Sequence, residues 1–219
     1  MPFSTATRLA GLLTLAAFTA GCNIAAPLYF AVAGPGDVDR EFELDDDRSI
    51  VVFVDDPSNK VATRRLRLVI GESAQDNVIK KNLVEDGMVV DARSALAATT
   101  REREGEPLSI AEIGRTVGAD SVIYVLVTEF DTSSISSESQ PFAKYRIKVI
   151  DSETSERLWP IEDEAGFAMR VVLPTDASAV GAASRTEALK VQRDLAQRSG
   201  IAIAQLFYDV EVTLSVRRN

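Results

Sequence analysis

Apolar residues fall along this chain in two rhythms, unbroken runs and strict alternation, and together they lay out a sheet with helices against it. The segment SIVVFVDDP carries a continuous apolar run from Ile50 to Val54, and SVIYVLVTEF carries another from Val122 to Val127, where the only polar group is the Tyr124 hydroxyl. Unbroken runs of this length suit strands covered on both faces, so both are expected near the middle of a sheet. AKYRIKVID alternates instead. Tyr145, Ile147 and Val149 point one way and Lys144, Arg146 and Lys148 the other, which predicts a strand with one wet face. GFAMRVVLP sets Phe167, Met169, Val171 and Leu173 on one side of a further strand ended by Pro174, and Met88 to Val90 forms a short one.

Between these runs the period lengthens to that of a helix. Residues 62 to 84 carry a stripe of Ala62, Leu66, Val69, Ile70, Ala74, Val78 and Ile79, with Gly71 weakening the middle. Ser109 with Glu112 makes a capping box, Leu108 and Ile113 a hydrophobic staple, and Gly118 a left-handed stop, so a helix is expected from Ser109 to Gly118. Ser184 and Glu187 repeat the capping box. The stripe after them, Ala188, Val191, Leu195, Ala202, Ile203, Leu206 and Phe207, predicts a long helix lying across the sheet. The polar DSETSERLW turns the alternating strand back toward Leu158 and Trp159. These elements predict an α/β (α+β) fold: a mixed β-sheet of about five strands flanked by helices, in a single domain over residues 49–208. The tail, 209–219, alternates Val210, Val212, Leu214 and Val216 with polar residues; it either adds an edge strand to its own sheet or lends itself to a partner.

The run IAEIGRTVGAD leading into an apolar strand, followed by a strand closing on VIDSETSERLW, resembles a pattern shared by the curli-secretion-channel and penicillin-binding-protein-activator lipoproteins. The N-terminal domain of the Tol-system propeller protein is similar. The resemblance covers roughly residues 49 to 208 and rests on fold-level motifs. It departs at Ser155, where the pattern has Gly. Arg93 matches an Arg usual in the family, where buttressing a loop and a direct functional role are both open. The resemblance implies an envelope protein that works through protein contacts.

The first residues bear on the compartment. Arg8 precedes LAGLLTLAAFTAGC, an apolar stretch too short to span a bilayer and laid out as a secretory signal. Cys22, the one cysteine, follows Thr19, Ala20 and Gly21, which resembles a bacterial lipobox. On that reading residues 1–21 are a signal peptide, Cys22 carries the acyl chains that hold the protein to the membrane, and residues 22–48 form an acidic tether. Asn23 after the cysteine points to the outer membrane by the sorting rule of enteric bacteria. Within the tether, Leu28, Tyr29, Phe30 and Val32 either lie at the lipid headgroups or pack on the domain.

Charge narrows the partners. With 24 Lys plus Arg against 33 Asp plus Glu the net charge is −9, which argues against nucleic acid. Hydrophobic residues at 46% argue for a packed domain. The absence of histidine removes Ser-His and Cys-His nucleophiles and His-bearing metal sites, and no phosphate-cradling glycine motif is present, so the sequence calls for no cofactor. Asp45, Asp46 and Asp47 lack the spacing of a calcium loop and read as a solvated acidic run. Asp55 and Asp56 at the end of a central strand point to opposite faces and suit turn formation. Hydrolysis by Glu129, Asp131, Glu162, Asp163 or Glu164 needs those carboxylates to converge.

Three functions follow in order. The first is a non-catalytic, lipid-anchored envelope protein acting as adaptor or assembly factor for a protein partner, through a sheet edge, the strand 166–173 or the tail. The second is an oligomeric secretion-channel subunit, although TSSISSESQP between Glu129 and Phe142 is too short and polar for a pair of membrane-spanning strands; self-association through the soluble domain stays open. The third is a small carboxylate-dependent hydrolase.

Overall fold

The structure, a computed structural model, describes residues 38–99, 107–132, 140–174 and 184–210. The expected signal, Cys22 and most of the tail lie outside them. In chain order the elements are β1 (Ile50–Asp55), α1 (Arg64–Lys80), β2 (Val89–Val90), α2 (Ala92–Ala98), α3 (Ile110–Val117), β3 (Ser121–Asp131), β4 (Phe142–Asp151), β5 (Arg157–Trp159), β6 (Phe167–Val172) and α4 (Arg185–Ala204), which runs into a 3₁₀ turn at Gln205–Phe207.

The sheet is mixed and has six strands in the order β2-β1-β3-β4-β5, with β6 also paired to β4. β1 runs parallel to β2 and β3, as a strand followed by a crossover helix must, while β3, β4, β5 and β6 pair antiparallel. β3 takes the whole length of β4 along one edge. β6 occupies the other edge from Phe142 to Ile147 and β5 follows at Val149 and Ile150, so the sheet is five columns wide. The two unbroken apolar runs are the inner strands β1 and β3, as their composition requires.

Pleating sends alternate residues of each strand into two separate cores. On the first face Ile50, Val52, Val54, Ile123, Val125, Tyr145, Ile147 and Met169 meet Ile70, Ala74 and Val78 of α1 and Leu195, Ala202 and Ile203 of α4. On the second face Val51, Phe53 and Val122 meet Ala95 and Leu96 of α2 and Ile113 of α3. α4 lies against α1 as well as the sheet, and the two helices come close because Gly200 has no side chain: a Cβ there would sit 2.4 Å from the Ile70 carbonyl and 2.5 Å from Ser73 Cβ. Gly71, which the pattern marks as a weak point of α1, is likewise a contact, since its Cβ would stand 3.2 Å from Ala92 Cβ. The stripe overreaches at Ile79, which is 48% exposed although its neighbour Val78 is fully buried, because successive helix residues turn away from one another around the axis.

The caps are where the sequence places them. Ser109 and Glu112 exchange both capping-box bonds, Gly118 closes α3 at φ 76°, and Ser184 and Glu187 form the second box. In the β4–β5 turn Ser155 takes φ 63°, so it adopts the left-handed conformation for which the resembling pattern uses Gly. Asp151 accepts from the amides of Glu153 and Thr154 and thereby shapes that turn.

Residues 38–48 lie on the domain. Phe42 stacks 6.1 Å from Trp159, Leu44 is buried in the first core, and the amides of Glu41 and Phe42 both donate to the Leu206 carbonyl. Trp159 gathers Phe42, Phe167 and Phe207 around itself, joining the entering chain, two edge strands and the end of α4.

Candidate functional site

Two places on the domain offer more than packing: the base of the sheet, where the chain enters, and the outer half of its second face.

At the base, Arg48 donates to the Asp151 carboxylate at 2.6 Å and to the Asp120 carbonyl at 3.1 Å. The Ser49 hydroxyl and amide both reach the Asp120 carboxylate, at 2.6 and 2.8 Å. The turn amides around Thr154, with Arg48, hold Asp151 well below the usual carboxylate range, at about 2. Ser49 lowers Asp120 in the same way, and the Asp151 carboxylate raises Arg48. This clamp ties the entry of β1 to the start of β3 and the end of β4. Beside it opens a cleft of about 750 Å³, floored by Phe42, Leu44, Leu158 and Phe207 and rimmed by Arg40, Glu43, Asp45 and Arg48.

The second face is covered unevenly. α2 and α3 lie over β1 and β3, and α3 reaches β4 at its C-terminal end, where Arg115 donates to the Ser152 carbonyl. Among the described residues no helix covers the rest of β4 or β6 on this side. There Lys144, Arg146 and Lys148 project from alternate positions of β4, and Arg170 of β6 stands directly across from Lys144. Arg170 and Lys144 both lie over the Phe142 ring, at 4.6 and 5.3 Å. Glu129 pairs with Lys144 at 2.7 Å and Asp163 with Arg146 at 3.2 Å, and all four side chains are substantially exposed. No ion pair to Lys148 or Arg170 is present among the described residues. In a chain of net charge −9, this outer half of one sheet face is a local concentration of cations.

Four of the carboxylates considered above are engaged separately. Asp55 accepts from the Tyr124 hydroxyl at 2.8 Å, and burial with that bond keeps the phenol protonated far above its ordinary value. Asp56, buried, accepts from the amides of Lys60 and Val61 and shapes the loop into α1. Glu129 and Asp163 have the pairs just described, and Asp163 also caps Ala165. Asp45, Asp46 and Asp47 alone among the described residues bring three carboxylate oxygens within 4.8 Å of one another; all three are exposed, and the neighbouring Asp47 raises Asp45. Arg93 pairs with Glu72 at 2.6 Å across exposed surface and so links α2 to α1, a buttressing contact.

Of the tail positions, Val210 exchanges both backbone hydrogen bonds with Val38, at 3.0 and 2.9 Å. Val212, Leu214, Val216 and Cys22 lie outside the described residues. Among the described residues no helix is long and apolar enough to cross a membrane.

No family model matches the chain, and no curated protein does. Solved structures overlap it loosely. A PelC variant dodecamer from Paraburkholderia phytofirmans is 11% identical over 77% of this chain and 96% of its own, at a TM-score of 0.41. Lipoprotein GNA1162 from Neisseria meningitidis is 14% identical over 68% and 95%, at 0.37. The hypothetical protein CT253 from Chlamydia trachomatis is 13% identical over 71% and 98%, at 0.33. Overlaps this loose say nothing about what the present chain does.

Proposed function

We propose that this chain is a non-catalytic envelope protein, anchored through acyl chains on Cys22 and working as an adaptor or assembly factor through protein contacts. One observation carries the contact part: β4 and the edge strand β6 present a row of cations on a face that no helix covers among the described residues. Strands held by pairing along their full length make a better-ordered platform than a loop, and charged groups on such a platform select partners and speed their encounter. The lipobox-like residues before Cys22 and the resemblance to envelope lipoproteins support the anchor and the compartment. The wet face foreseen from the alternation of β4 is, on this reading, the working surface.

Replacing Cys22 by Ser is expected to move the full chain from the membrane to the soluble fraction; complete retention after a high-salt wash overturns the anchor. Reversing the platform with Lys144→Glu and Arg170→Glu is expected to abolish co-purification of envelope proteins with the full chain while leaving its thermal unfolding midpoint within about 2 °C. An unchanged set of co-purifying proteins overturns the platform.

A further inference from the structure

β6 closes one side of the sheet, and among the described residues its outer edge pairs with nothing. The Leu173 amide donates to the Pro141 carbonyl at 2.9 Å, and these two residues continue the β4–β6 register by one step. Bonded and non-bonded positions alternate along an antiparallel pair. Phe167, Met169 and Val171 therefore direct their backbone groups to β4, while Ala168, Arg170 and Val172 turn theirs outward. Each outward residue offers one N–H and one C=O, and none of these groups has a backbone partner among the described residues. Water reaches all three, since Arg170 is exposed and Ala168 and Val172 are half-buried. β6 has neither a proline nor a bulge to bar a further strand.

The covering helix leaves room beside this edge. Arg198, Ile201 and Gln205 fall on one face of α4 and its 3₁₀ extension, and with Val171 and Val172 they line a slot of about 130 Å³. Ile201 is 40% exposed there. Arg170 stands on the other side of the sheet edge. Neither Arg170 nor Arg198 has an ion pair among the described residues, so both flanks of the edge carry positive charge without a counterpart.

We infer that β6 receives an extended segment of a partner polypeptide as a further strand, and that the side chains of this segment alternate between aliphatic and acidic. Its backbone bonds to Ala168, Arg170 and Val172, its aliphatic side chains enter the slot against Ile201, and its carboxylates lie beside Arg170, at the roughly 5 Å that separates same-face neighbours. Main-chain bonds give such a contact its affinity; the slot and the arginines give it a choice of sequence. The tail of this chain also alternates, but its start is engaged elsewhere: Tyr208 lies under Lys81 at the end of α1, and Val210 pairs with Val38. The inference rests on reading β4 and β6 as a contact surface, and it assigns the contact to the backbone edge rather than to the cation row alone.

The test follows amide hydrogen exchange of the full chain in nonionic detergent, with a synthetic peptide of alternating valine and glutamate as long as β6. In the free chain the amides of Ala168, Arg170 and Val172 are expected to exchange fast and those of Met169 and Val171 slowly. The peptide is expected to slow the first three, and a valine–lysine peptide to bind about tenfold more weakly. Ala168→Pro removes an outward donor and no bond to β4, so it is expected to abolish peptide binding while Met169 and Val171 stay protected, which shows that the strand is intact. Arg170→Glu is expected to reverse the preference between the two peptides. Outward amides that are already slow in the free chain overturn the inference; if they become fast in a chain ending at Val210, the tail is the occupant instead. Peptide binding that Ala168→Pro leaves unchanged also overturns it. The cation platform is judged separately: should the edge fail while Lys144→Glu with Arg170→Glu still loses envelope proteins, the contact surface stands without strand addition.

Discussion

The two faces of the sheet are built from the same strands and have opposite fates. On β4, Tyr145, Ile147 and Val149 are buried in the first core, while Lys144, Arg146 and Lys148, one residue away in each case, stay in contact with water. The difference comes from the size of each covering layer. α1 and α4 are 17 and 20 residues long and together extend over β1, β3, β4 and β6; α2 and α3 have 7 and 8 residues and shelter β1 and β3. A short layer on one side leaves a rigid strand half dressed, and that half is free to carry charge.

Adjacent residues of β4 therefore give the sharpest contrast. Ile147→Ala removes a fully buried side chain from the first core and is expected to cost about 3–4 kcal/mol in urea unfolding. Next comes the seam of the thicker layer: Gly200→Ala drives a methyl group into the Ile70 carbonyl and should cost about 2–3 kcal/mol, with the loss appearing first as weakened amide protection in α4. The clamp at the base is worth less. Asp151→Asn is expected to cost about 1–2 kcal/mol at pH 7. Because the folded carboxyl titrates near 2 and the unfolded one near 3.8, its contribution is present above about pH 4 and fades as pH falls toward 2; wild type and variant should then converge in an acid titration of stability. The smallest effect belongs to the open face, where Lys148→Ala should move stability by no more than about 0.5 kcal/mol. An Ile147→Ala loss no larger than that of Lys148→Ala would mean that the first face is not the more tightly packed one.

Much of this contrast is written in local sequence. The unbroken runs of β1 and β3, the alternation of β4 and both capping boxes depend on neighbours within a turn or two, and they fold as their spacing dictates. What sequence cannot carry is contact between distant segments. Gly71 and Gly200 look like flaws in helices until another helix is set against them. Phe42 and Leu44 look like parts of a free segment until Trp159 and the first core are brought beneath them. The Arg48–Asp151–Asp120 clamp joins residues 103 and 72 positions apart, too far for any local pattern to announce. The same holds for the cationic platform. Alternation marks the side chains of β4 as wet, but whether a helix ends up over them depends on the length of α2 and α3 and on which strands they cross.

The bridge between Val38 and Val210 also gives the domain an unusual symmetry of entry and exit. The two residues exchange both backbone bonds, so their Cα atoms stand about 5.5 Å apart. The described polypeptide is thus almost a closed loop: a few residues joining position 210 to position 38 would make it circular, and new ends opened in the exposed segment 161–165 would leave every strand pair intact. It follows that a pull applied between Val38 and Val210 would peel this bridge, the bond from the Arg40 amide to Asp209 and the bonds to Leu206 in sequence, with the sheet bearing none of the load until they had gone.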